Sequence, residues 1–262
     1  MTDNVIPISD QQILQYRQQG YITVGGLFTA DEVESVRSEI TKIVRCYPDG
    51  PDGLVEFEPS VESGENAPDE IELRVRKLSN VVRHNVFFRK LAFHPKMAAI
   101  ATALLGPDVV LLQSIMLLKP PRIGSAKVWH QDNAYFRRNP NHIVGFWIAC
   151  DDATVENGCM HVLPGSHTLG ILEHGGFKNE YGTLKTPSFE EAVAVPLKAG
   201  GALIFHGELL HGSPPNNTAE RRRSIQYHYA SSKCRRSEGW EMYKVKPEVH
   251  VAGRDFGYDL AG

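Results

Sequence analysis

Two stretches of the sequence contain metal-binding residue types at a suitable spacing. His130 and Asp132 lie two residues apart in VWHQDNAYF, and His211 follows in GALIFHGELLHGSPPN. Residues i and i+2 of a strand point to the same face, so a strand here would direct His130 and Asp132 at one ion and Gln131 away from it. With a third ligand from a distant strand, this is the two-histidine, one-carboxylate set of non-haem Fe(II) oxygenases. The pair alone is weak evidence, because eleven histidines produce such a spacing by chance.

Downstream of this motif, an arginine is placed to bind a carboxylate. Arg222 follows His211 across the turn-forming run PPNN, and a hairpin here would return the chain beside the strand of His211. Alternation along RRRSIQYHYA predicts one face made of Arg222, Ser224, Gln226 and His228. A polar face inside a sheet is costly unless it lines a ligand cavity, where a guanidinium holds a carboxylate through two charge-assisted hydrogen bonds.

The third ligand has one competitor in the same run of sequence. His206 lies five residues before His211, and both are followed by glycine. The Gly-Ser pair after His211 and its spacing to Arg222 favour His211 over His206. We therefore expect His130, Asp132 and His211 to come together, with Arg222 close by.

Composition excludes several classes of protein. The chain has 262 residues, 42% of them hydrophobic and 23% charged, which excludes a disordered chain. Its net charge of −3 gives no indication of a nucleic-acid partner. Four widely spaced cysteines argue against disulfides or a thiolate zinc site and favour a reducing, cytoplasmic setting. The sequence shows neither a signal peptide nor the ~20-residue apolar run of a membrane span, so no membrane partner is expected.

The first third of the chain is predicted to be helical. Ser9 caps a helix over DQQILQYRQQ, which ends before the strand-like YITV. Thr29 and Glu32 form a capping box ahead of ADEVESVRSEITKIVRCY. Helical patterning resumes over NVVRHNVFFRKLAF and HPKMAAIATALLG. Residues 47–71 hold eight carboxylates and no Lys or Arg, and we expect either a solvated surface loop or a lid.

From Asp108 onward, short β-rich runs alternate with Pro, Gly and Asn turns, as in a sandwich or barrel. The order of elements predicts an α+β, mainly β fold. We expect a single domain over 1–262. Its parts would be helical support with an acidic loop over 1–107, a β core over 108–232 and a C-terminal tail over 233–262.

Several motifs, and the order in which they occur, resemble the phytanoyl-CoA dioxygenase family of Fe(II)- and 2-oxoglutarate-dependent oxygenases. They are WHQDNAYF, FWIACDDATVENGCMHVLPGSH, and the run from Gly-Gly through LIFHGELLHGS to the later Asn and Arg. The resemblance covers roughly Gly20 to Ala230 and is strongest from Lys119 onward. It implies a double-stranded β-helix (jelly-roll) core with N-terminal supporting helices. It also implies Fe(II), 2-oxoglutarate as cosubstrate, and O2.

The resemblance also implies a role for individual residues. The implied iron ligands are His130, Asp132 and His211. The implied partners of the 2-oxoglutarate C5 carboxylate are Arg222 and Ser213, and the further cosubstrate contacts are Trp147, Lys77 and Gln113. The candidate substrate contacts, for which core packing is the alternative, are Tyr135, Phe136, His228 and Trp240.

The predicted activity is hydroxylation of an unactivated C–H bond in a small organic molecule, with release of succinate and CO2. Related halogenases have Gly or Ala in place of the carboxylate, so Asp132 favours hydroxylation or desaturation. A non-catalytic metal- or ligand-binding jelly roll and a zinc hydrolase with the same ligands are the alternatives. The sequence contains no pantetheine- or nucleotide-binding signature, so an acyl-CoA thioester is not favoured. Residues that select the substrate are expected on the loops 48–70 and 168–194.

Overall fold

Helices gather in the first part of the chain and strands in the remainder. The computed structural model describes residues 8–47, 49–51, 53–66, 68–177, 180–237 and 249–254. The helices are α1 (Asp10–Gln19), α2 (Ala30–Arg45), α3 (Pro59–Glu62), α4 (Val81–His84), α5 (Val86–Leu91), α6 (Pro95–Leu105) and α7 (Asp132–Phe136), with 3-10 turns at Ile71–Leu73 and Ser166–Leu169. The strands are β1 (Tyr21–Val24), β2 (Val55–Phe57), β3 (Val75–Ser79), β4 (Val109–Lys119), β5 (Lys127–His130), β6 (Arg138–Asn139), β7 (Ile143–Ala149), β8 (Met160–Val162), β9 (His174–Phe177), β10 (Glu180–Thr183), β11 (Val193–Val195), β12 (Ala202–His206), β13 (His211–Ser213), β14 (Arg222–Ser231), β15 (Arg235–Arg236) and β16 (Val249–Ala252).

Two antiparallel sheets form the centre of the fold. The larger, here called the major sheet, has the strand order β1-β12-β7-β14-β4-β3-β2, and β16 also pairs with β4. The smaller, here called the minor sheet, has the order β11-β8-β13-β5. Buried apolar side chains from both sheets pack together, among them Trp147, Phe205, Met160 and Val162. The predicted mainly β, jelly-roll architecture with N-terminal supporting helices is confirmed.

The N-terminal helices begin where the capping residues predict. Ser9 and Gln12 form a capping box at α1, and Gly20 ends that helix in the left-handed conformation with φ of 82°. Thr29 and Glu32 form a second box at α2. The helices then pack on the outer face of the major sheet in one large apolar cluster. No helix in the described part of the chain is both long and apolar enough to cross a bilayer.

The side chains of β14 alternate between the outer face of the major sheet and its inner face, as predicted. On its outer face, Arg223 makes two hydrogen bonds of 2.9 Å with the Asp151 carboxylate. The Tyr227 hydroxyl, on the same face, donates to the Phe88 carbonyl of α5 at 2.9 Å. On the inner face, Arg222, Gln226 and His228 line a cavity between the sheets. The same strand therefore anchors the helices and supplies the cavity wall.

The hairpin predicted after β13 does not form. β13 pairs with β5 and β8 in the minor sheet, whereas β14 pairs with β4 and β7 in the major sheet. Asn216, buried between these strands, donates its side-chain amide to the carbonyls of Lys119 and Glu220. This tie fixes the crossing from one sheet to the other. His211 and Arg222 therefore lie on different sheets, and the prediction that their strands are neighbours is wrong.

Part of the acidic segment 47–71 joins the edge of the major sheet as β2, whereas most of its other described residues lie in turns and in α3. β2 pairs with β3, and β3 pairs with β4 at the edge of the major sheet. Glu58 is fully buried, and its carboxylate accepts a hydrogen bond from the Ser125 amide at 3.1 Å. Glu56 forms an ion pair with Lys77, with 2.6 Å between nitrogen and oxygen. The prediction of a helical first third overlooked these two strands, because their polar residues conceal any β alternation.

One predicted helix is divided into two. The pattern NVVRHNVFFRKLAF suggests continuous helix, but Asn85 adopts an extended conformation with φ of −134°. Its side chain accepts a hydrogen bond from the Phe88 amide and so caps α5. Asparagine favours such a cap over the helix interior because its side chain competes for backbone hydrogen bonds.

The hydrogen bond from Tyr227 to the Phe88 carbonyl ties β14 to α5. We expect Tyr227→Phe to lower the free energy of unfolding by about 1 kcal/mol, since it removes one buried hydrogen bond between β14 and a helix. Urea denaturation measures the change. Tyr47→Phe, at an exposed tyrosine, serves as the control and should shift stability by less than about 0.5 kcal/mol. Equal effects of the two substitutions would show that this bond does not anchor the helix.

Candidate active site

Three side chains converge where the minor sheet faces the major sheet. His130 ends β5, Asp132 begins α7 and His211 begins β13. β5 and β13 pair so that His130 lies opposite His211. Asp132 Oδ1 lies 3.5 Å from His130 Nε2 and 3.7 Å from His211 Nε2. One ligand atom from each of the three buried residues lies within 4.8 Å of the others, which is the geometry of a three-ligand metal site.

Asp132 belongs to a helix, whereas the sequence reasoning placed it on a strand. Gln131 stands between His130 and α7 with an extended backbone, at φ of −119° and ψ of 130°. Its side chain points away from the site and donates to the carbonyls of Gly170 and Glu208, each at 2.8 Å. One extended residue is enough to keep i and i+2 on the same side, so the predicted convergence holds although the strand ends earlier.

The two histidines are oriented as metal ligands. His130 Nδ1 donates to the Val128 carbonyl at 2.8 Å, and His211 Nδ1 donates to the Leu209 carbonyl at 2.9 Å. Each Nδ1 therefore carries the proton, and each Nε2 presents its lone pair. His211 Nε2 is buried and has no hydrogen-bond partner among the described residues. A buried acceptor of this kind is costly unless a ligand satisfies it, so the donor set fits a divalent metal ion.

The electrostatics of the three residues favour the metal-binding protonation states. Burial lowers the pKa of His130, and burial followed by the neighbouring His130 lowers the pKa of His211 to about 3. Burial acts to raise the pKa of Asp132, but His228 and the other adjacent histidines hold it well below its usual range. Two neutral imidazoles beside an ionised carboxylate can bind a metal without first losing a proton.

The same cavity, about 440 Å³ in volume, contains a buried guanidinium. Arg222 is 2% exposed, lies 5.2 Å from the ring centre of Trp147 and donates to Ser224 Oγ at 3.1 Å. Burial lowers its pKa to about 10, which leaves it charged at neutral pH. Among the described residues, Arg222 Nε and Trp147 Nε1 are buried without a hydrogen-bond partner. A buried cation with an unused donor is suited to an anionic ligand.

The cavity brings together most of the residues predicted from the sequence. Besides the three candidate ligands and Arg222, its lining includes Lys77, Gln113, Tyr135, Phe136, Trp147, Ser213 and His228. Trp240 lies outside the described residues. His206 is not in the lining; its ring lies near those of Tyr16 and His167. Of the two candidates for third ligand, His211 is thus the one that meets His130 and Asp132.

Four cations of the cavity lining were not predicted from the sequence: Arg76, Arg83, Lys119 and Lys127. Lys127 precedes His130 by three residues, and regular alternation would place the two on opposite faces of β5. A β-bulge opposite Gly212 of β13 shifts the register, so that both side chains face the cavity. No local signal in a single sequence marks this bulge.

Comparison with known proteins identifies the family. Residues 16–224 match the family model described as phytanoyl-CoA dioxygenase (PhyH). The chain belongs to the phytanoyl-CoA dioxygenase family. As a phytanoyl-CoA dioxygenase family member it is a non-haem iron enzyme, a 2-oxoglutarate-dependent oxygenase, and its cofactors are iron, 2-oxoglutarate and O2.

Relatives in the phytanoyl-CoA dioxygenase family span nearly the whole chain. Phytanoyl-CoA dioxygenase 1 of Oryza sativa subsp. japonica is 26% identical over 275 residues, covering 92% of this chain and 96% of the relative. The peroxisomal phytanoyl-CoA dioxygenase of Homo sapiens is 28% identical over 272 residues, covering 98% of this chain and 79% of the relative.

Solved structures with the same fold include two that contain a cosubstrate. EctD from S. alaskensis, with 2-oxoglutarate and 5-hydroxyectoine, has a TM-score of 0.74 at 22% identity, covering 97% of this chain and 86% of EctD. The epimerase SnoN, in complex with Fe3+, alpha-ketoglutarate and nogalamycin RO, has a TM-score of 0.70 at 23% identity, covering 94% of this chain and 96% of SnoN. At these identities the likeness establishes the fold.

The ligand geometry predicts which carboxylate controls metal affinity. Asp132→Ala removes the one anionic ligand, and we expect the dissociation constant for Co(II) to rise more than about 100-fold, beyond the usual effect of an outer contact. Anaerobic calorimetric titration measures this constant. Asp152→Ala is the matched control, because Asp152 pairs with the exposed Lys198 on the surface and should leave metal binding unchanged. Retained affinity in Asp132→Ala would refute the ligand set.

Proposed function

We propose that this phytanoyl-CoA dioxygenase family member hydroxylates a C–H bond of a small organic molecule while 2-oxoglutarate is converted to succinate and CO2. The observation that carries the proposal is the shared cavity. The three candidate iron ligands and the buried Arg222 line the same space of about 440 Å³. A dicarboxylate in this space has a metal site and a guanidinium as its two partners, one for each end of the molecule.

The candidate ligands leave room for the cosubstrate. His130 Nε2, Asp132 Oδ1 and His211 Nε2 would hold the metal from one side, and a facial set of this kind leaves the other coordination positions open. Bound iron supplies the activation of dioxygen, with two electrons from the decarboxylation of 2-oxoglutarate and two from the substrate C–H bond. Asp132 occupies the place that Gly or Ala takes in related halogenases, which supports hydroxylation or desaturation.

Arg222 would bind the C5 carboxylate of 2-oxoglutarate through its planar fork of N–H groups. Trp147 holds the guanidinium in place by contact with its face, 5.2 Å from the ring centre to the guanidinium carbon. Ser213, Lys77 and Gln113 line the same cavity, which supports the cosubstrate contacts proposed for them.

His228 would position Asp132. A carboxylate can only accept, so His228 Nε2 donates to Asp132 Oδ2 at 2.7 Å, while Oδ1 faces the two ligand histidines. The bond holds one carboxylate oxygen away from the metal site and directs the other toward it. The His228 ring is 1% exposed and packs against Phe136 with ring centres 5.0 Å apart. The contact of His228 with the substrate stays a prediction. The position of the ring in the cavity lining supports it.

We further propose one dioxygenase domain over 1–262 with a small-molecule partner. Helical residues of the first third and strands of the β core share one apolar cluster, which supports a single domain. Tyr135 and Phe136 follow Asp132 on α7 and line the cavity, which supports their predicted contact with the substrate. The four cysteines are free thiols, which fits the proposed cytoplasmic location, whereas the human relative is named as peroxisomal.

The proposed reaction is tested by its cosubstrate dependence. The Fe(II)-loaded protein should form succinate from 2-oxoglutarate and consume O2. Arg222→Ala should weaken 2-oxoglutarate binding about 10- to 150-fold, because a charge-assisted hydrogen-bond pair contributes roughly 1.5–3 kcal/mol. Arg222→Lys should recover little of this loss, since the planar fork is absent.

Arg221→Ala provides the matched control. Arg221 pairs with Glu72 at 2.8 Å and is not part of the cavity lining, so its removal should leave 2-oxoglutarate affinity at the wild-type value. Product formation that needs neither O2 nor 2-oxoglutarate would contradict the proposal and support a zinc hydrolase. Binding without any succinate formation would support a non-catalytic ligand-binding protein.

The role of His228 is tested by metal binding rather than turnover. His228→Leu removes the donor to Asp132 and should weaken Co(II) binding about 10- to 100-fold. His228→Gln retains an N–H donor of similar reach and should recover most of the affinity. Melting temperatures of the metal-free variants report the packing contribution separately. Wild-type Co(II) affinity in His228→Leu would show that the ring does not position Asp132.

A further inference from the structure

Apart from the exposed Arg83, the cations of the cavity lining form two groups that differ in solvent exposure. At the inner end, Arg222 and Lys119 are register partners in the major sheet and are 2% and 4% exposed. At the mouth, the side chains of Arg76, Lys77 and Lys127 are 20%, 30% and 32% exposed. Both groups line the same space as the candidate iron ligands. The proposed cosubstrate site accounts for the inner end and leaves Arg76 and Lys127 without a role.

Two carboxylates compensate the three cations of the mouth. Glu56 lies 2.6 Å from Lys77 and 3.3 Å from Arg76. Glu180 contacts Arg76 and lies 3.7 Å from Lys127. With both carboxylates ionised, the mouth still carries net positive charge. Burial, followed by repulsion from Arg76 and Lys77, lowers the pKa of Lys127 to about 8, so these cations destabilise one another.

The excess of positive charge persists in the loaded enzyme. A divalent metal ion and the 2-oxoglutarate dianion cancel, and Asp132 and Arg222 cancel as well. The buried Glu58 carboxylate offsets the charge of Lys119, the remaining inner cation. None of these groups balances the positive charge at the mouth of the cavity. The orientation of Lys127 also requires the β-bulge in β5, and bulges of this kind re-aim side chains beside functional sites.

From these observations we propose that the oxidised substrate is a small organic anion, a carboxylate or phosphate, which Arg76 and Lys127 bind at the mouth of the cavity. The inference rests on the proposed function. Arg76, whose two terminal nitrogens contact Glu56 and Glu180, contributes positive charge, and Lys127 contributes an ammonium with N–H donors, which together suit either group. The rest of the substrate would extend past Tyr135 and Phe136 toward the iron ligands. The Lys127 ammonium, 5.9 Å from the Tyr135 ring centre, stands at the start of this path.

The test uses the full chain loaded anaerobically with Zn(II) and 2-oxoglutarate, so that binding is measured without turnover. Calorimetric titrations compare three probes of one chain length: hexanoate, hexyl phosphate and hexanamide. At least one of the two anions should bind about 10-fold or more tightly than the neutral amide, as expected for a charge-assisted contact. The preferred anion distinguishes a carboxylate site from a phosphate site.

Variants locate the anion at the mouth. Lys127→Met should weaken binding of the preferred anion about 10-fold or more, whereas Lys127→Arg keeps the charge and should stay within about 3-fold of wild type. Both variants should retain 2-oxoglutarate affinity, which also reports that they are folded. Lys198→Met, at an exposed lysine paired with Asp152, is the control and should bind all probes as wild type does.

Two results would overturn the inference: no preference of the wild-type protein for an anion over hexanamide, or anion binding that Lys127→Met leaves unchanged. Failure of the wild-type protein to bind 2-oxoglutarate is a different result. It would refute the proposed function itself, before any probe is added.

Discussion

The protein keeps full charges inside a β-sandwich, and this constraint governs the rest of the structure. Arg222 and Asp132 are 2% and 4% exposed in one cavity. Buried charges are costly unless hydrogen bonds or bound ligands compensate them. Asp132 is compensated by histidines, whereas Arg222 has the Ser224 hydroxyl and the Trp147 ring among its described contacts. An iron ion and a dicarboxylate are the partners that such a pair of charges calls for.

Holding these charges in place requires a rigid wall, and β14 provides it. Its inner face carries Arg222 and His228, while its outer face carries Arg223 and Tyr227, which are bonded to Asp151 and to α5. Packing on the outer face of the strand therefore holds the functional side chains of the inner face in position. The acidic segment has a comparable role at the sheet edge, where the Glu56 carboxylate pairs with Arg76 and Lys77 of the cavity mouth. Structural ion pairs and ligand-binding groups thus share the same side chains.

Sequence reasoning succeeded wherever the relevant partners are a few residues apart. The capping boxes of Ser9 and Thr29 depend on residues three positions later, and both form as predicted. The convergence of His130 and Asp132 needs only one residue with an extended backbone between them. Gln131 has that conformation, although α7 begins where the strand was predicted to continue. The alternation of β14 depends on the extended backbone alone, and it placed Arg222 in the cavity. The family motifs extended these local predictions to the iron and 2-oxoglutarate chemistry.

The sequence by itself thus determined the fold class, the candidate metal ligands and the polar face of one strand. Only the tertiary structure decided which sheet each strand joins, and this choice depends on contacts between residues far apart in the chain. It decided that β13 and β14 lie in different sheets, that a bulge turns Lys127 inward, and that the acidic segment joins a sheet edge. The cationic mouth is the product of these long-range pairings, because its cations come from β3 and β5 and the carboxylates paired with them come from β2 and β10. No local sequence pattern around any of these residues predicts that they lie together.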